Sequence, residues 1–218
     1  TGVLTQFLLN REELDFKAID LDAESIDYLH KTYPSKANRF VFGDFLKQPL
    51  DDFFEGEVGI IGNFPYNISS QILFKAYENR HRVPELVGMF QKEVAERVAS
   101  PPGSKAYGIL SVLLQAFYDI EYLFTVSEHV FSPPPKVKSG VIRLKRNGVT
   151  SLNCDEKRFT VVVKTAFNQR RKTLRNSLKS LVPDKEVFSD ELFNKRPEQL
   201  AVEDFVNITR LIEASQSK

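Results

Sequence analysis

The chain has 218 residues, 42% of them hydrophobic and 27% charged, with a formal net charge of +1, enough to bury a substantial core in one large domain or a domain with an appendage. No apolar run approaches the roughly 20 residues that span a bilayer, and no secretory signal is visible. Cys154 is the single cysteine, which excludes an internal disulfide and a cysteine metal cluster and makes a reducing, cytoplasmic setting the expectation.

In chain order, the pattern predicts a helix over 3–9, a strand over 16–21, a helix over 23–31 and strands over 39–42 and 58–61. A helix over 69–79, a strand over 86–90 and helices over 92–98 and 107–117 follow. Short β-rich apolar runs alternating with helical spacing are the signature of an α/β domain with a largely parallel sheet. The next two strands, 120–125 and 140–144, have no helix between them, so an antiparallel hairpin at a sheet edge is expected, with Pro133, Pro134 and Pro135 in its connection. After Asn147-Gly148 only helical spacing remains, over 157–167, 173–181 and 202–214, with Pro183 and Pro197 as separators. This predicts a domain of residues 1–148 and a small all-helical domain of residues 149–218.

The near-zero net charge conceals an asymmetry. Residues 1–60 hold 6 Lys/Arg against 12 Asp/Glu, whereas residues 131–180 hold 13 against only Asp155 and Glu156. An excess of that size implies a polyanionic partner, with nucleic acid favoured over a solvated face. His30, His81 and His129 are scattered without partners at metal-ligand spacing, so no metal site is expected.

Three places carry chemistry. Asp20 ends the strand over 16–21 and Asp44 follows the strand over 39–42 in Gly43-Asp44-Phe45. In open α/β sheets ligands bind outside the carboxyl ends of the strands, where such carboxylates can accept from ribose hydroxyls, or Asp44 from an adenine amino group with Phe45 beside the ring. Either Asp also suits a turn or cap, and Asp22 competes as the cap of the next helix. Asn63-Phe64-Pro65-Tyr66 follows the apolar run at 58–62: Asn63 offers an acceptor, Pro65 biases Phe64 towards an extended backbone, and Tyr66 offers a stacking face. Two acceptors side by side can take both hydrogens of an exocyclic amine and draw its lone pair out of conjugation. The same four residues equally suit an ordinary exit from a strand.

The order Thr1-Gly2-Val3-Leu4-Thr5, Ala18-Ile19-Asp20-Leu21-Asp22, Gly43-Asp44 and Asn63-Phe64-Pro65-Tyr66-Asn67-Ile68-Ser69 resembles the ribosomal RNA adenine dimethyltransferases. Gln91-Lys92-Glu93-Val94-Ala95-Glu96-Arg97, Tyr107-Gly108-Ile109-Leu110-Ser111 and Phe131-Ser132-Pro133-Pro134-Pro135-Lys136-Val137 continue the likeness over nearly the whole chain. Ala166-Phe167-Asn168-Gln169-Arg170-Arg171-Lys172-Thr173-Leu174-Arg175 and Arg196-Pro197-Glu198-Gln199-Leu200 are similar to the small-subunit, kasugamycin-resistance branch more than to the erythromycin-resistance methylases of large-subunit RNA.

The resemblance implies a Rossmann-like class I methyltransferase sheet with a helical C-terminal domain. Its implied activity is transfer of methyl groups from S-adenosylmethionine to two adjacent adenines in the 3′-terminal hairpin of small-subunit RNA, during ribosome maturation, by a cytoplasmic monomer. Carried onto this sequence, Gly2 and Asp20 (the family usually has Glu there) would bind the cofactor, with Asp44 and Phe45 on its adenine and Asn63 bordering both sites. Asn63 and the Phe64 carbonyl would hold the target amine, with Pro65 stiffening the turn, Tyr66 stacking on one face and Phe131 on the other. A core anchor for its loop is the other reading of Phe131. The target base must leave its stack, and stacking in the pocket offsets that at roughly 1–3 kcal/mol per base. Arg170, Arg171, Lys172, Arg175 and Lys179 would bind RNA phosphates, with Arg171, Arg175 and Lys179 sharing one helix face, unless some pair with the acidic first domain.

The family's glycine-rich cofactor loop normally follows a central first strand, and this sequence starts inside the tail of that motif. The sheet is therefore expected to be broken between neighbours; either a preceding segment exists that this sequence omits, or the polypeptide lacks it, and in the second case the chain is expected to bind cofactor weakly or not at all and to be inactive for want of that loop. Competing readings are a non-catalytic RNA-binding assembly factor that retains the fold and a DNA adenine methylase, which also uses an Asn/Asp-Pro-aromatic turn.

Overall fold

A computed structural model describes residues 2–182 and 184–216, which form two compact units, Thr1–Val58 and Gly59–Lys218. The first contains α1 (Thr5–Leu9), β1 (Ala18–Asp20), α2 (Ala23–Thr32) and β2 (Phe40–Phe42). β1 and β2 are parallel, with Asp20 opposite Phe42. Asp22 starts α2 because its carboxylate accepts the Glu24 N–H (3.1 Å) and the Ser25 hydroxyl (2.6 Å), satisfying donors a helix start leaves open. The Ser25 hydrogen bond, above all, lowers its pKa. Ile26 and Leu29 share a helix face and bury against Phe40, with Leu9, Ala18 and Tyr33 at the margin.

The second unit holds a four-stranded sheet of β3 (Ile60–Asn63), β4 (Glu85–Gln91), β5 (Tyr118–Val126) and β6 (Ser139–Arg146), in the order β3-β4-β6-β5. β3 and β4 are parallel, while β4–β6 and β5–β6 are antiparallel. The edge hairpin read from the sequence is therefore present, with Pro133, Pro134 and Pro135 outside its strands. The expected break is also present, since β1–β2 and the β3-β4-β6-β5 sheet are separate. Along β4, Leu86, Gly88 and Phe90 are buried and alternate with half-buried residues, the period of a strand that faces a core on one side. α3 (Ser69–Glu78), α4 (Lys92–Ala99) and α5 (Ile109–Gln115) supply the covering apolar surface, with Ile72, Leu73, Val98 and Leu113 almost wholly buried.

α6 (Glu156–Asn168), α7 (Leu174–Ser177) and α8 (Val202–Gln216) complete this unit. Asp155 caps α6 by accepting the Arg158 N–H at 2.7 Å, and Phe159, Val162, Val163 and Ala166 form its buried stripe. Phe167 stacks on Phe205 of α8, and the Tyr77 hydroxyl meets Thr160 at 3.1 Å, tying α6 to α3. The change of composition near residue 149 thus lies inside the second unit.

The helix expected over 173–181 is a correction: α7 is a single turn. Thr173 is extended (φ −67°, ψ 157°), the Leu174 N–H donates to the Lys195 carbonyl at 2.9 Å, and Leu178 leaves helical geometry. Leu174 and Leu178 look like helical spacing but are buried by a turn folded against the returning chain. Pro183, read as a separator, lies outside the described residues. No helix among the described residues is long and apolar enough to cross a membrane, and none of their His, Cys, Asp and Glu side chains form a metal-holding group.

Candidate active site

β3 ends in the turn that the sequence singled out. The Phe64 N–H donates to the Met89 carbonyl at 3.3 Å, carrying the parallel pairing one residue past Asn63. Pro65 then removes the next donor and fixes φ at −58°, so the chain leaves the sheet. Tyr66–Ile68 forms a single 3₁₀ turn that runs straight into α3, with the Ser69 hydroxyl donating to the Tyr66 carbonyl at 2.9 Å. Asn63 is exposed, and among the described residues neither its side-chain amide nor the Phe64 carbonyl has a partner. Two acceptors consequently stand open at the strand end, as an amine clamp requires.

Both aromatic residues of the turn are fixed by the sheet. Phe64 stacks on Phe90, with ring centroids 5.4 Å apart and planes at 25°. The Tyr66 hydroxyl shares a 2.6 Å hydrogen bond with Ser139, a wholly buried residue at the start of β6. Ser139 is a site residue that sequence reasoning missed, because its partner lies 73 residues away and only strand register brings them together. Its signal was position: it opens the strand that closes the edge hairpin. Phe131 lies in the connection between β5 and β6, half-buried and extended (φ −102°, ψ 150°) after the 3₁₀ turn Glu128–Val130.

In the first unit, Asp20 and Asp44 sit at the carboxyl ends of neighbouring parallel strands, and the Gly43 N–H donates to the Asp20 carbonyl at 2.9 Å. Asp22 is the helix cap, and among the described residues Asp20 accepts the Asp22 N–H through one carboxylate oxygen, at 3.0 Å, with no bond to the other oxygen. Asp44 accepts the Leu46 N–H at 3.0 Å and faces the Lys47 ammonium at 3.4 Å; Lys47 is 85% exposed, so this pair is weak. Phe45 beside it is half-buried. Gly2 has φ of +71°, a conformation that favours glycine, and a Cβ there would lie 2.9 Å from Leu29. Two acidic side chains at adjacent strand ends, one with an open oxygen, fit the hydroxyl and amino donors of a nucleoside cofactor.

The basic segment needs a correction. Arg171 precedes α7 and Lys179 follows it, so Arg171, Arg175 and Lys179 do not share a helix face. Arg175 donates to the Phe188 carbonyl (2.7 Å) and to Asn194 (3.2 Å), holding the following turns, and Arg170 pairs at 3.8 Å with Glu198 of its own unit. Arg171, Lys172 and Lys179 are exposed, and among the described residues their side chains have no ion-pair partner.

Comparison with known proteins gives a consistent result. The ribosomal RNA adenine dimethylase family matches residues 1–214. A "Ribosomal RNA small subunit methyltransferase A" from Cytophaga hutchinsonii is 59% identical over 211 residues, covering 97% of this chain and 82% of the relative. One of the same description from Bacteroides thetaiotaomicron is 58% identical over 214 residues, covering 97% and 80%. Among solved structures, a dimethyladenosine transferase from Plasmodium falciparum superposes with a TM-score of 0.83 at 25% identity, covering 99% of this chain and 88% of that one.

Proposed function

Because the chain belongs to the ribosomal RNA adenine dimethylase family, we propose that the open acceptors of Asn63 and Phe64 are the seat of its target amine. The protein is an S-adenosylmethionine-dependent methyltransferase of small-subunit ribosomal RNA. The expectation that the chain as given is inactive finds no support among relatives described as methyltransferases, nor does the reading as a non-catalytic factor. At the finer level, the target is two adjacent adenines in the 3′-terminal hairpin, each receiving two methyls. The protein works as a cytoplasmic monomer, with residues 1–148 carrying the chemistry and residues 149–218 docking RNA.

The observation that carries the reading is the pair of unpartnered acceptors at the end of β3, beside a tyrosine whose ring is anchored to Ser139. When bound, S-adenosylmethionine supplies an electrophilic methyl; Gly2, Asp20, Asp44 and Phe45 would hold it. Asn63 and the Phe64 carbonyl accept the two N–H bonds of the adenine amine, which localises the lone pair on nitrogen. Tyr66 stacks on the flipped base and Phe131 closes the opposite face. The amine needs no deprotonation before attack: Asn63 and the Phe64 carbonyl hold the nitrogen whose lone pair would take the methyl from a bound sulfonium donor, which would leave as the neutral thioether, and the surplus proton then leaves to water. Catalysis is positioning plus acceptors for the developing ammonium charge. Arg171, Lys172 and Lys179, exposed, contact phosphates without reading bases.

Labelled-methyl transfer to undermethylated small subunits tests this. Asn63→Ala is expected to lower kcat by on the order of 10²–10³, the usual effect of deleting one preorganised charge-stabilising group. Parental activity in Asn63→Ala would remove the proposed role of the clamp.

A further inference from the structure

The ring of Phe64 rests on glycine. Gly62 and Gly88 are opposite one another across the parallel β3–β4 pair, so the sheet has a spot without Cβ atoms directly before the clamp. A Cβ on Gly62 would lie 2.7 Å from Phe64 Cε1, 2.8 Å from Cζ and 3.2 Å from Cδ1. A Cβ on Gly88 would meet Phe64 Cε2 at 2.8 Å and Phe90 Cε2 at 2.6 Å. Neither glycine has positive φ, so what forbids a larger residue is the overlying ring and not the backbone. At Gly62 the three nearest heavy atoms to such a Cβ all belong to the Phe64 ring.

We infer that Gly62 is a positioning residue for methyl transfer: it lets the Phe64 ring lie flat on the sheet, and the seated ring sets the direction of the Phe64 carbonyl. Two residues separate a strand position from the next on its face, so Gly62 and Phe64 share a face while Asn63 points the other way. The Phe64 side chain is thereby pinned between Gly62, Gly88 and Phe90, its N–H is tied to Met89 and its successor is proline. The remaining freedom of that peptide is taken up by the ring's seat. Lifting the ring turns the carbonyl relative to Asn63 Oδ1, and two acceptors that no longer converge cannot hold both hydrogens of one amine. The second methylation suffers more than the first, because a monomethylated amine has a single hydrogen left and depends on a well-aimed acceptor. This inference rests on the amine-clamp reading above.

The test is a cycle of Gly62→Ala made in the parent and in Phe64→Leu, with Asn63→Ala alongside. Leucine lacks the Cε and Cζ atoms that collide, so the added methyl has room. In the parent, Gly62→Ala is expected to lower kcat at least tenfold with little change in KM for the subunit, and to raise the ratio of monomethyladenine to dimethyladenine. Made in Phe64→Leu, the same substitution is expected to change kcat and product ratio less than twofold relative to Phe64→Leu itself. Parental kcat and product ratio in Gly62→Ala would overturn the inference, and so would equal losses in both backgrounds, which would mean that the methyl disturbs something other than the ring. If Asn63→Ala stays active, the clamp reading fails regardless of the cycle; if it is inactive while Gly62→Ala behaves as the parent, only the seat fails.

Discussion

The two units differ in how firmly they can hold what they carry. In residues 1–58 the deeply buried apolar side chains are Ile26, Leu29, Phe40 and Leu50, and α1 buries none of its residues. In the second unit, Leu73, Leu86, Phe90, Leu113, Phe159 and Phe205 have no exposed surface. Burial stabilises by about 25 cal/mol per Å² of apolar surface, so a unit with few buried side chains opens more readily than one with many. The candidate cofactor residues Gly2, Asp20, Asp44 and Phe45 are on the thin unit, whereas the proposed amine clamp of Asn63 and the Phe64 carbonyl is on the dense one. The lesson is a division of tolerance: cofactor-side residues meet a ligand with many contacts of its own, but the clamp must aim two acceptors at one nitrogen and needs a rigid frame.

The largest expected effect comes from Leu29→Ala. Removing a buried leucine typically costs about 2–5 kcal/mol, a large share of what so small a core can supply. Amide exchange should accelerate throughout β1 and β2 while β4 and β6 keep parental protection, and cofactor affinity should fall. Equal loss of protection in β4 and β6 would break the comparison, because the units would then unfold together.

The sequence revealed the frame better than the details that tune it. Strand and helix positions were legible because their signals are local: the short apolar run of β4, the Asp22 cap, the proline run between β5 and β6. The exit turn itself was legible because Asn63, Pro65 and Tyr66 fall within four residues directly after an apolar run. What was not legible is set at long range. Leu174, Leu178 and Leu181 have helical spacing, but Leu178 leaves helical geometry after one turn, while Leu174 is tied to the Lys195 carbonyl, so the basic residues do not share one helix face. Gly62 acquires meaning only when register puts it beside Gly88, and Ser139 only when β6 brings it to Tyr66.

Ser139 sharpens the comparison on the dense side. Its hydroxyl and that of Tyr66 satisfy each other, so Ser139→Ala leaves a phenol without its partner, a loss of about 1–3 kcal/mol where the group stays out of water. Methyl transfer should fall several-fold in kcat as the stacking ring loses its fixed orientation, with amide protection in β1 and β2 unchanged. Tyr66→Phe combined with Ser139→Ala should recover most of the lost thermal stability, since no polar group is then stranded. A double variant less stable than Ser139→Ala would show that the hydrogen bond does not account for the effect.

The smallest expected effect uses Cys154 as a reporter on the same unit. Partial burial, followed by the negative charges of Glu213, Glu156 and Asp155, pushes its thiol up to about 11 from 9.0, against a weaker opposing pull from Arg210. Because the raised value favours the neutral thiol, the folded protein holds a proton that the unfolded chain releases as pH climbs from 9 towards 11. The associated stability is present below pH 9 and declines across that window. The thiolate is the reactive form, so iodoacetamide should label Cys154 more slowly at pH 8 in the native protein than in urea, with the two rates converging as pH approaches 11. Leu29→Ala should leave the native rate at pH 8 unchanged, since the opening it causes is confined to the first unit. A rate that rose with Leu29→Ala would mean that loosening α2 reaches the start of α6, and the rigid frame assigned to the clamp would then depend on the thin unit after all.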